Sequence, residues 1–88
     1  MSSNILSPRS GQVFPAGKDI PIEAVATDLS GVGQIIILVN NKQIARDTQA
    51  PYTAVISKPV PGQYVIQSYA TNKYGDNKLS SLVTITVK

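Results

Sequence analysis

A chain without histidine or cysteine has few ways to do chemistry. Paired carboxylates, an activated lysine or a serine–lysine pair remain as acid–base or nucleophilic machinery. The acids are Asp19, Glu23, Asp28, Asp47 and Asp76, and none falls in a catalytic motif. Asp19 and Glu23 alternate with Ile20 and Ile22, so on a strand they face solvent as a hydrated surface. Gly31-Val32-Gly33 could suggest a phosphate loop, but no helix follows whose N-terminus would help to hold an anion. No catalytic residue and no cofactor are expected, so the chain is not read as an enzyme. Metal chemistry is equally thin, because thiolate and imidazole ligands are missing. Asp28 and Asp76 could approach one another if loops 28–33 and 72–78 share an end, with Asn72 and Asn77 beside them. Calcium takes about six to eight oxygens, however. Asp28 and Asn72 are read instead as loop caps that form Asx turns, and no metal site is expected.

Ligand binding on loops is the stronger functional reading. The segment Asn72-Lys73-Tyr74-Gly75-Asp76-Asn77-Lys78 presents one aromatic between two lysines and beside amides. Tyr74 offers a flat apolar face to a sugar ring; Lys73, Asp76, Asn77 and Lys78 can bond hydroxyls or anionic groups. The neighbouring loop adds Ser30 and the apolar carbon of Leu29 and Val32. These residues are the candidate site, with a carbohydrate as the expected partner. The plainer reading is a polar hairpin with Tyr74 packed across its base. The other tyrosines look structural. Tyr64 follows Pro61-Gly62, where a tyrosine corner would anchor a turn through its hydroxyl, and Tyr52 should pack at the start of a strand. Tyr69, Ile36 and Leu38 point away from the core in the alternation; they form either a partner surface or a face covered by long polar side chains.

Short strands must position these residues. Gly and Pro recur at short intervals along the 88 residues, with β-branched residues between them, and no three-turn amphipathic helix occurs. Period-two alternation gives about seven strands. The first is Ile5 to Ser7 with a continuation at Gln12-Val13-Phe14, and the second runs from Asp19 to Thr27. Gln34 to Val39 turns at Asn40-Asn41 into Lys42 to Arg46. Tyr52 to Lys58, a strand from Tyr64 to Thr71, and Leu79 to Val87 complete the set. Each has one apolar face, so two antiparallel sheets packed face to face satisfy them all. The expected fold is all-β, an immunoglobulin-like β-sandwich, with residues 1–3 as a tail and 4–88 as a single domain. Ile20, Ile22, Ile35, Ile37, Val39, Ile66, Val83 and Ile85, helped by Tyr64, should replace the disulfide and tryptophan that pin antibody domains. Eight Lys+Arg against five Asp+Glu are spread without a cluster, so no nucleic-acid partner is expected. The longest apolar run, Ile35 to Val39, is far below the ~20 residues of a membrane span, so no membrane insertion is expected either. The absence of a signal peptide leaves a cytosolic product or a module of a longer protein, and a first strand pattern that begins almost at once favours the module.

Several short matches then occur in sequence. Ser7-Pro8 stands with Gly11 and Phe14, and Gly17 precedes Ile20, Ile22, Ala24 and Ala26. Asp28 is followed by Ser30-Gly31, and Ile35, Ile37 and Val39 lead into Asn40. Asp47-Thr48-Gln49-Ala50-Pro51-Tyr52, Pro61-Gly62-Gln63-Tyr64 and Tyr69-Ala70-Thr71-Asn72 with Gly75 follow. Over Ile5 to Lys88 the chain resembles the bacterial Ig-like (Big-type) domains repeated in cell-surface proteins, carbohydrate-active enzymes and phage virion proteins. It departs from them at Asn41, where the family often has Gly, implying a somewhat strained turn. It departs again at Asn72, often Asp in the family, which weakens a calcium reading. The size and architecture also resemble the Ig-like outer domains of tailed-phage capsid decoration proteins. The resemblance implies a non-catalytic module on a virion surface or outside a cell, attached to a larger parent protein or capsid. Weak adhesion to host or bacterial surface glycans would be multiplied by display in many copies. The alternatives are a structural spacer or an accessory domain of an extracellular carbohydrate-active enzyme.

Overall fold

β-Branched residues at every second position stiffen an extended backbone and leave each strand one apolar face. The computed structural model describes residues 1–88 and contains strands without helices. They are β1 (Ser2–Ser7), β2 (Val13–Phe14), β3 (Ile20–Thr27), β4 (Val32–Val39), β5 (Lys42–Asp47), β6 (Tyr52–Ile56), β7 (Gly62–Asn72), β8 (Asn77–Leu79) and β9 (Val83–Val87). One sheet has the order β1-β3-β6; the other runs β2-β9-β7-β4-β5, with β8 also paired to β7. Neighbours are antiparallel except β2 and β9, which are parallel. The two sheets pack face to face in the expected sandwich.

Nine strands stand where about seven were expected. The first segment divides into β1 and β2 at Pro8, and the last expected strand breaks between β8 and β9. Ser80 explains the break. Its N–H donates to the Ser68 carbonyl, but its side-chain hydroxyl, rather than its carbonyl, accepts the Ser68 N–H at 2.8 Å. The partner then advances from Ser80 to Val83 while β7 advances only from Ser68 to Ile66, so one residue bulges out. Residues 1–3 are a further correction. Ser2 and Ser3 are not a tail; they open β1, because each hydroxyl finds a partner. Ser2 bonds Thr27 across the pair, and buried Ser3 bonds the buried hydroxyl of Ser68 in the opposite sheet at 2.7 Å.

Ile20, Ile22, Ile35, Ile37, Ile66 and Ile85 are at most 1% exposed and sit in one cluster with Val39, Tyr52, Ile56 and Val87. Burying each such side chain contributes about 1.5–3 kcal/mol. Aliphatic packing thus takes the place of a disulfide pin. Val83, expected in the core, is half-buried against its edge.

Two turns fix the strand registers around this core. Asn40 and Asn41 adopt φ of 52° and 65°, the paired left-handed geometry of a two-residue hairpin, which asparagine tolerates. Asn40 also accepts the Val65 N–H through Oδ1 at 2.9 Å, a bond that glycine could not make. Tyr64 donates its hydroxyl to the Val60 carbonyl at 2.7 Å, which is the expected tyrosine corner. Tyr64→Phe should therefore lower the unfolding free energy by about 0.5–1.5 kcal/mol, read as a shifted urea midpoint with an unchanged slope.

The molecule is a rod of 41 × 18 × 18 Å. Its chain ends lie at opposite ends. The N-terminal ammonium is 3.9 Å from Asp28 Oδ1, beside loops 28–33 and 72–78. The Lys88 carbonyl accepts the Ala16 N–H, and neighbouring Gly17 donates to Pro59 at the other end.

Candidate functional site

Loops 28–33 and 72–78 do share one end of the sandwich, and a glycine lets them meet. A Cβ on Gly33 would stand 3.2 Å from the Thr71 carbonyl oxygen, so any side chain there would push β4 and β7 apart by a few tenths of an ångström. In Gly31-Val32-Gly33, Gly33 thus serves close packing, while Gly31 supplies the positive φ of 93° at the turn.

Asn72, the last residue of β7 and only 7% exposed, organises the junction. Its Oδ1 accepts the N–H groups of Tyr74 at 2.9 Å and Asp76 at 3.0 Å. Its Nδ2 donates to Asp28 Oδ2 and to Asp76 Oδ2, each at 3.3 Å. Asp28 Oδ2 also accepts the Ser30 N–H at 3.0 Å and the Ser30 hydroxyl. Asp28 and Asn72 are thus the Asx caps expected, and because the loops share an end the Asp28 and Asp76 carboxylates converge, on an amide NH2.

The Ser30 hydroxyl is the main reason why the Asp28 carboxyl titrates below its ordinary value. Partial desolvation opposes it, while the Ser30 N–H, the Asn72 amide and the N-terminal ammonium add to it. A depressed folded value means that this contribution to stability is complete at neutral pH. It is lost as pH falls through the folded value. Ser30→Ala should move the Asp28 titration upward, toward that of an ordinary aspartate, and make the acid limb of the stability curve shallower. Carboxyl-carbon NMR titration measures the first and denaturation at stepped pH the second.

Two other acids also hold backbone. Asp19 Oδ1 accepts the Lys58 N–H at 2.9 Å, closing the β3–β6 end, and Asp47 Oδ2 accepts the Thr53 N–H at 2.9 Å.

Of the candidate binding residues, Lys73 and Tyr74 form the loop tip. Tyr74 is 72% exposed and does not pack across the loop base; the Lys73 ammonium lies 5.4 Å from its ring centroid, a cation–π contact. Asp76 is tied to Asn72, while Asn77 and Lys78 lie exposed on β8 opposite Thr71 and Ala70. Ser30 has its hydroxyl committed to Asp28. Leu29 is fully exposed at the same end. What the sequence did not reveal is the amino terminus beside Asp28, because Ser2 and Ser3 carry no apolar signal for a strand.

The outer face of the larger sheet places Arg46, Ile36, Tyr69 and Leu79 directly opposite one another across β5, β4, β7 and β8. Ile36, Leu38 and Tyr69 are half-buried, and Arg46 Nε donates to Gln34 Oε1 at 2.6 Å. Long polar neighbours cover this face in part.

These features have known counterparts. A family model described as the bacterial Ig domain matches residues 2–74. The chain belongs to the bacterial Ig domain family. This bacterial Ig domain is 33% identical to the fibronectin(III)-like modules of CbhA from Clostridium thermocellum. That match has a TM-score of 0.94 and covers 99% of this chain and 96% of that one. CopC from Methylosinus trichosporium OB3b is 20% identical with a TM-score of 0.53, over 99% of this chain and 94% of its own; that likeness is one of fold. No curated protein matches the domain.

Proposed function

We propose that this bacterial Ig domain is a non-catalytic spacer in a larger extracellular protein, setting the distance between its neighbours. One observation carries the reading: the chain joins the 41 Å rod at one end and leaves at the other, so each flanking segment departs from its own end. The relative from Clostridium thermocellum, itself a module, supports it. An accessory position in a carbohydrate-active enzyme is one setting for such a spacer. Small-angle scattering of the parent protein tests it: deleting the domain should shorten the longest dimension by about one rod length, and an unchanged dimension removes the spacer reading.

The exposed Tyr74 beneath Lys73 favours a second reading, weak adhesion to host or bacterial surface glycans. Lys73, Tyr74, Asp76, Asn77 and Lys78 would supply the contacts, with Ser30 holding its loop in place. Display in many copies, on a bacterial surface or as a capsid decoration on a phage virion, can raise avidity by about 10²–10⁴ without new contacts. A glycan array probed with the multimerised domain should then show binding that Tyr74→Ala and Lys73→Ala abolish. A blank array leaves the spacer reading alone.

A further inference from the structure

Tension applied through the two chain ends must cross whatever ties the first strands to the last. One ladder does so. Residues 10–16, which contain β2, run parallel to β9. The Thr84 N–H donates to Ser10 Oγ at 3.1 Å, and the Gly11 N–H to the Thr84 carbonyl at 2.9 Å. The Thr86 N–H donates to Gln12 at 3.1 Å, the Lys88 N–H to Phe14 at 3.0 Å, and the Ala16 N–H back to Lys88 at 2.9 Å. The ladder therefore reaches residue 88.

Direction decides how these bonds are loaded. β1 begins beside Asp28, and the chain proceeds through β2 toward the far end, where Lys88 closes β9. A pull on the N-terminus draws β2 back along its own axis; a pull on the C-terminus draws β9 along its axis in the opposite sense. Because the strands are parallel, each bond lies across the force, and the evenly spaced bonds of a parallel pair strain together. A hairpin opened from its free end loses its bonds singly instead. β1 adds a second tie loaded in the same way, paired with β3 from Ser2↔Thr27 to Ile5↔Ala24.

We infer that residues 10–16 and β9 form a mechanical clamp, so that the domain bears tension between its neighbours besides setting their distance. This rests on the spacer reading, but its test is separate. The 88-residue domain is pulled by single-molecule force spectroscopy in two geometries: through its two termini, and between Gln63→Cys and the C-terminus. The chain has no cysteine of its own, so that handle is unique. Gln63 is exposed and lies opposite Thr86, so the second geometry peels β9 from the end at Lys88.

The clamp requires a clearly higher unfolding force through the termini than in the peeling geometry. It also requires that Ala16→Pro lower the end-to-end force more than the peeling force. That substitution deletes the donor to Lys88 just ahead of Gly17, whose φ of 79° completes a turn that accepts proline at this position. Equal forces in the two geometries overturn the clamp, as does an end-to-end force that Ala16→Pro leaves unchanged. Should that variant not fold, the comparison of geometries decides alone. A failed clamp leaves the spacer reading standing, since the latter is read from the dimensions of the parent without load.

Discussion

Ile66→Ala should remove about 2–5 kcal/mol of unfolding free energy, among the largest losses available to a single substitution in this domain. Ile66 is 0% exposed and lies on β7 opposite Val39 of β4 and Val83 of β9, within the cluster both sheets contribute to. Truncation leaves a void between two rigid sheets that have little room to collapse. At roughly 0.05–0.15 kcal/mol per residue, a chain of this length holds only about 4–13 kcal/mol in all, so the variant approaches the unfolding threshold. Urea titration reads the change as a lower midpoint. Ile36→Ala provides the comparison. The same side chain is half-buried on the outer face, and its loss should cost about 1 kcal/mol. Equal losses at the two positions would contradict the assignment of inner and outer faces.

Asn72→Asp is the second large effect, and its size depends on pH. The amide Nδ2 stands between Asp28 and Asp76 and donates to both. A carboxylate there keeps an acceptor for the Tyr74 and Asp76 N–H groups but replaces the shared donor with a third negative charge. A loss of about 1–3 kcal/mol is expected at neutral pH. The new carboxyl is repelled by its neighbours, so its folded titration point rises above the unfolded one. The destabilisation then shrinks as pH falls through that raised value. The native domain behaves in the opposite way on the acid side, losing the Asp28 contribution as pH falls. Thermal melts of both proteins at stepped pH should converge on acidification. Parallel curves would show that the amide does not bridge the carboxylates.

The features legible in the sequence were those whose cause is local. Isoleucine at alternate positions from Ile20 and from Ile35 fixes extended structure and an inner face whatever the rest of the chain does. Tyr64 after Pro61-Gly62, and the asparagine pair at 40 and 41, are turn chemistry within a few residues. Asp28 and Asn72 were readable as caps for the same reason. What escaped depends on partners far along the chain. Ser2 and Ser3 have no strand signal of their own, and their hydroxyl partners lie 25 and 65 residues away. The break between β8 and β9 hangs on Ser80 borrowing a ladder bond from Ser68. Topology allowed Asp28 and Asp76 to meet if their loops shared an end, but that an amide would sit between them is a fact of tertiary packing. The exposed loop tip was visible by composition, whereas the commitment of the Ser30 hydroxyl to Asp28 was not.

The buried hydroxyl pair across the sandwich bears on how the first strand finds its place. In β1, Ile5 turns inward and Leu6 outward, and hydrophobicity alone scarcely distinguishes them. A slip of one residue would exchange the two faces, giving the core Leu6 in place of Ile5 with little apolar loss. The same slip would carry Asn4 inward with an amide to satisfy, move Ser3 away and strand the Ser68 hydroxyl in an aliphatic interior. A half-satisfied polar core is worse than an apolar one. Ser3 and Ser68 thus act as a proofreading contact: they add little to adhesion between the sheets, yet they make the misaligned strand recognisably wrong to the chain itself.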